Sequence, residues 1–99
     1  MGVFPGFILT STRYAAGFSE PAFTKIGTGS SASTVQQVLG KPLNIETNHA
    51  GVAPWTDRPL IVTWWYSEEA LGEVRVWWKA RAVIFSNEVV TYKISYLKR

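Results

Sequence analysis

His49 is the only histidine of the chain, and there is no cysteine. One His without Cys cannot assemble a common zinc site, and nearby Glu46 and Asp57 supply no recognised ligand spacing. A relay from His49 to Ser67 or Ser86 would need an acid brought in by the fold, and nothing in the spacing favours one. Gly51, Pro54 and Pro59 surround His49 with loop signals, so a solvated imidazole is expected. Glu68, Glu69 and Glu73 lie close together. Carboxylates do acid–base work when burial separates their pKa values, and a hairpin loop leaves them in water. Gly27-Thr28-Gly29-Ser30-Ser31 opens a helix and would offer its amides to an anion. No Lys follows at Walker spacing and the glycines miss the dinucleotide pattern, so it reads as an N-cap turn. Catalytic residues, metal ligands and cofactors are therefore not expected, and the chain reads as a non-enzyme.

The tryptophans are the residues with something to offer. Trp64-Trp65 and Trp77-Trp78 are adjacent pairs, and neighbouring side chains of a strand point to opposite faces. Trp64 shares a side with Tyr66, and Trp78 with Val76, so these are assigned to the core. Trp65 and Trp77 then fall on the far face with Arg75, Lys79 and Lys93. Short helices cover one side of a sheet, so this second side is expected to stay open unless residues 1–17 or the 43–59 loop cover it. Its Trp and Arg content is that of a protein interface, so Trp65, Arg75, Trp77, Lys79 and Lys93 form the candidate interaction surface. A protein partner or a homodimer is the expected occupant. The alternative is a small ligand or single-stranded nucleic acid, because bases also stack on aromatics among cations. Nucleic acid is the less favoured partner. The net charge is only +3, with no dense Lys/Arg run.

The elements that would position this surface follow from pattern. Ninety-nine residues make one domain, and 46% hydrophobic with 17% charged residues suits a packed core. Residues 1–17 read as an N-terminal arm, with Phe7 to Leu9 able to add an edge strand, and residues 18–99 as a single domain. The apolar patch near Met1 is interrupted by Pro5-Gly6 and follows no positive charge, unlike a secretory signal. No window reaches the roughly 18–20 apolar residues of a membrane span, so no transmembrane segment is expected in this chain. Ser19-Glu20-Pro21 starts a short helix bearing Phe23 and Ile26. Ser31 caps a second helix, Ala32 to Leu39, with Val35, Val38 and Leu39 on one stripe. Gly40 is expected as its left-handed terminator, and Pro42 bars continuation. Residues 43–59 read as a loop. Leu60 to Ser67, Glu73 to Phe85 and Glu88 to Leu97 read as strands, with a tight turn at Ser86-Asn87. The expected fold is α+β: two short helices on a three-stranded antiparallel meander in two layers. A β-bulge near Arg81-Ala82 would bring Val74, Val76, Trp78 and Ala80 onto one face with Val83, Phe85, Val90, Tyr92, Ile94 and Tyr96.

Lys25-Ile26-Gly27-Thr28-Gly29-Ser30-Ser31 through Val35 and Val38-Leu39-Gly40-Lys41-Pro42 resembles the SmpA/OmlA (BamE-like) family. Trp64-Trp65-Tyr66 and the hairpin Val83 to Val90 extend the resemblance over residues 19–97. It implies two helices on a three-stranded sheet, similar in architecture to β-lactamase inhibitory protein, which grips another protein with its sheet. It also implies protein binding or scaffolding in outer-membrane assembly or integrity. The periplasm or outer-membrane periphery of the bacterial cell envelope would be the location. The family brings no catalytic residues.

Overall fold

The computed structural model describes residues 12–49, 60–70 and 77–98. The expected edge strand at Phe7 to Leu9, the start of the long strand at Glu73, and Arg75 lie outside the described residues. The first strand, β1, is Thr12–Tyr14, and two helices follow, α1 (Glu20–Lys25) and α2 (Ala32–Leu39). The remaining strands are β2 (Asn44–His49), β3 (Leu60–Trp65), β4 (Ser67–Glu69), β5 (Trp78–Ser86) and β6 (Val89–Lys98).

Both helices begin as their caps dictate. The Ser19 hydroxyl accepts the Ala22 amide at 3.3 Å, and Pro21 occupies the first turn, where its missing N–H had no partner. The Ser31 hydroxyl accepts the Thr34 amide at 3.2 Å. Helix α2 buries Val35 and Leu39 completely and leaves Val38 exposed. Truncating Leu39 to Ala would cost about 2–5 kcal/mol. Gly40 ends the helix with φ 77° and ψ −161°. The positive φ matches the sequence expectation, but the ψ is extended and not left-handed helical. With the backbone in this conformation the Gly40 carbonyl accepts the Tyr66 hydroxyl at 2.8 Å.

The fold is mostly β, which corrects the expectation of an α+β domain with a three-stranded meander. A four-stranded antiparallel sheet runs in the order β2-β3-β5-β6, and β1 pairs with β4 in a separate two-stranded ladder. The fourth strand is β2, which forms where the sequence reads as loop. Asn44, Glu46 and Asn48 have poor strand propensity, but β2 is an edge strand, where polar residues are tolerated and useful. All six of its residues pair, from Asn44↔Trp65 to His49↔Leu60. Likewise, Arg13 of the expected arm faces Glu68 across the β1–β4 ladder and forms an ion pair with it.

The register conflict in the long hairpin is real, and its solution lies on the other strand. Phe85 pairs with Val90 and Ile84 with Tyr92, so the extra residue is Thr91 of β6 and not a residue near Arg81-Ala82. The turn is Asn87-Glu88, with φ 53° and 63°, the doubly positive pair of a type I′ hairpin. The bulge reverses the parity of everything after Thr91. Val83, Phe85 and Val90 face the helices, while Tyr92, Ile94 and Tyr96 share the opposite face with Ile84, Ala82 and Ala80. The core joins Val83, Phe85 and Val90 to Ala15, Phe23, Ile26, Val35, Leu39 and Tyr66, with Phe18, Val62 and Trp64 packed around it.

Tyr66 and Ser67 form the corner between the two ladders. The Tyr66 amide donates to Arg81 O, and its carbonyl accepts the Ala15 amide, both at 2.9 Å. The Ser67 hydroxyl donates to Lys79 O at 2.6 Å and accepts the Arg81 amide at 2.8 Å. One side chain thus completes two backbone bonds of β5 where the chain turns away from it. Among the described residues no helix is long and apolar enough to cross a membrane.

Gly40→Val should lower stability by about 1–3 kcal/mol, because positive φ with extended ψ is nearly confined to glycine. Chemical denaturation of the variant checks this, and an unchanged midpoint would contradict the conformation at Gly40. Burial raises the Tyr66 phenol above its ordinary 10.0. The folded state holds that proton where the unfolded chain releases it. Stability from this group is therefore fully present below pH 10.0 and lost as pH rises beyond it. Tyr66→Phe should flatten the alkaline fall in melting temperature. At neutral pH it should cost about 1–3 kcal/mol for the unpaired Gly40 carbonyl. Tyr14, also raised by burial, leaves a residual slope.

Candidate interaction face

The sheet face turned away from the helices is built by pairing alone. Its rows run Asn44–Trp65–Ala82–Ile94 and Glu46–Thr63–Ile84–Tyr92 across the four strands. Ala80 with Tyr96, and Trp78 with Lys98, continue it along β5 and β6. The face grades from polar on β2 to aromatic on β6, where Tyr92 is 63% and Tyr96 50% exposed. Ala80 and Ala82 on β5, opposite Tyr96 and Ile94, are fully buried among their larger neighbours.

At one corner the Trp65 and Trp78 rings meet, centroids 6.3 Å apart and planes tilted by 49°. The Trp65 indole N–H donates to Glu46 Oε1 at 2.8 Å, which fixes that ring against β2. These groups, with Asn44, Ser67, Glu68 and Lys98, line a cleft of about 340 Å³. On the helix side a second cleft, about 320 Å³, lies between the start of α2 and β3, over Val62, Trp64 and Phe85. The Trp64 and Phe85 rings pack there at 4.6 Å.

The five surface residues expected from sequence do not gather. Trp65 is on the far face as assigned. Arg75 lies outside the described residues. Trp77 precedes β5, is 37% exposed, and by pleat parity points the opposite way from Trp78, which takes its place beside Trp65. Lys79 is exposed but pairs with Leu97 in the helix-side parity. Lys93 faces the helices outright: its ammonium donates to Phe23 O at 2.8 Å and stands 4.8 Å from the Phe23 ring centre. Burial there lowers its pKa from the ordinary value. The displaced bulge explains the exchange, because moving it from β5 to β6 inverts Trp78 and Lys93 together. Tyr92, Ile94 and Tyr96, counted as core in the sequence, are the residues that reasoning missed. Their signal was an apolar face longer than two helices of six and eight residues can cover.

The weaker motifs have structural uses. In the Gly27 to Ser31 turn the Gly29 amide donates to Val90 O, and just after it the Ala32 amide donates to Glu88 O, so both are already spent on the hairpin. Glu68 pairs with Arg13. His49 belongs to β2, opposite Leu60, and not to a loop; its side chain lies outside the described residues. Among the described residues no group of three His, Cys, Asp or Glu side chains could hold a metal ion. No family model, curated protein or solved structure matches the chain.

Proposed function

We propose that this chain is a non-enzymatic protein-binding or scaffolding domain that holds its partner on the far sheet face. The observation that carries the reading is the strip Tyr92, Ile94, Tyr96 on β6, with Tyr92 63% exposed. Tyrosine combines a large apolar ring with a hydrogen-bonding tip, which is why it is enriched at protein interfaces. The strip is rigid, since every residue from Tyr92 to Lys98 is paired with β5. Of the lysines and arginines on β5 and β6, Lys98 is the one aligned on this face. Single-stranded nucleic acid would need a cationic track beside the aromatics, so the nucleic-acid alternative loses support. The SmpA/OmlA-like residues 25–42 add the bacterial cell envelope as the proposed setting.

A photo-crosslinking residue at position 96 tests the reading against the same residue at Gln37, exposed on α2. In cells expressing the chain, position 96 should give a discrete protein adduct and position 37 none. Tyr92→Ser in the same protein should weaken the adduct at least about tenfold, as expected of an interface anchor. An adduct of twice the chain mass would make the partner a second copy. Equal labelling from both positions, or none from 96, would contradict a partner on this face. Fractionation of the same cells tests the envelope setting.

A further inference from the structure

We infer that the cleft at Trp65 and Trp78 is a saccharide-binding site, taking the end of a neutral oligosaccharide. This goes beyond the protein-binding reading and uses the opposite corner of the face from Tyr92. The cleft's volume of about 340 Å³ lies at the small end of sites for compact ligands, roughly 300–1,000 Å³. It has no room for a folded partner.

The lining selects the ligand class by elimination. Two indoles at 6.3 Å and 49° form a fixed aromatic wedge, held by the Trp65 to Glu46 hydrogen bond. A purely apolar ligand would strip water from Asn44, Glu46 and Lys98 without replacing its hydrogen bonds, which costs free energy. A cation would gain from the indole faces and from Glu46, but Lys98 stands directly across the ladder from Trp78 and repels it. An anion would gain from Lys98 and meet the Glu46 carboxylate, while Glu68 and Arg13 already neutralise each other as an ion pair. A neutral sugar avoids every conflict. Its C–H face packs on an indole, and its hydroxyls both donate and accept. Glu46 keeps its second carboxylate oxygen as an acceptor, Lys98 donates, and Asn44 does both.

The test is a tryptophan-fluorescence titration of the full chain with chitotriose, cellotriose and maltotriose, with tetramethylammonium chloride as the cationic competitor. At least one trisaccharide should shift the emission saturably, and tetramethylammonium should not. Trp78→Ala should weaken that binding at least about tenfold, the factor equivalent to 1.4 kcal/mol. Glu46→Gln keeps an acceptor for the Trp65 N–H, so the fold is retained, and turns the acceptor offered to the sugar into a donor; it should weaken sugar binding at least about threefold. Circular dichroism establishes that each variant is folded, and Trp78→Phe replaces Trp78→Ala if the latter is not. No saturable response to any trisaccharide in the millimolar range overturns the inference. So does a response that survives loss of the indole at 78, or binding of tetramethylammonium that Glu46→Gln abolishes. Failure here leaves the crosslink at position 96 untouched, and failure of that crosslink leaves the titration untouched.

Discussion

One extra residue in β6 decides what this protein shows to its surroundings. Side chains of a strand alternate with a period of two, so Thr91 inverts every position that follows it. Without it, Tyr92, Ile94 and Tyr96 would lie under α1 and α2, and Lys93 would stand in water. With it, the aromatic residues leave the core and Lys93 enters the helix side. There its ammonium stands over the Phe23 ring and donates to the Phe23 carbonyl in the last turn of α1. That entry is tolerable because the charge reaches helix C-terminal oxygens and an aromatic face, two sites that favour a cation. The Thr91 hydroxyl also donates to Ile84 O at 3.3 Å, which pins the bulge at the hairpin end.

The rest of the architecture makes that choice consistent. Two short helices cannot cover four strands, and they are placed over β5, β6 and part of β3 by three tethers. The turn before α2 pairs with the start of β6 through Gly29, Ser30 and Val90. The end of α2 is caught by the Tyr66 hydroxyl. The start of α1 is tied to β5 by the Glu20–Arg81 ion pair at 2.9 Å, with Arg81 only 15% exposed. Arg13–Glu68, whose arginine is far more exposed than Arg81, contributes at most about 1 kcal/mol. Its role is alignment of β1 on β4 more than stability. Tyr66 is thus the junction where α2, β1 and β5 meet, and a side chain without exposure holds it.

Local elements were legible in the sequence where chemistry is local. Ser19, Ser31, Gly40 and the stripe of Val35 and Leu39 announce both helices, because caps and terminators act within a turn. The need for a bulge was legible too, since one hairpin cannot bury both alternating sets. Its position was not. Placing it requires knowing whether Lys93 or Tyr92 finds a partner under the helices, and α1 supplies that partner from seventy residues away. β2 was illegible for a related reason: Asn44, Glu46 and Asn48 carry no strand signal, and their pairing is imposed by β3. The candidate face inherited the bulge error. It kept Trp65, exchanged Trp77 for Trp78, and moved from a cationic surface to an aromatic one.

Hydroxyl-radical footprinting of the monomeric chain, resolved by mass spectrometry at single residues, tests the central claim most directly. With Thr91 as the bulge, Tyr92 and Tyr96 are oxidised fast, Tyr66 and Phe23 are protected, and the Lys93 amine is slow towards acylating reagents. Protection of Tyr92 and Tyr96 together with rapid acylation of Lys93 would mean the opposite parity, and the aromatic face would not exist.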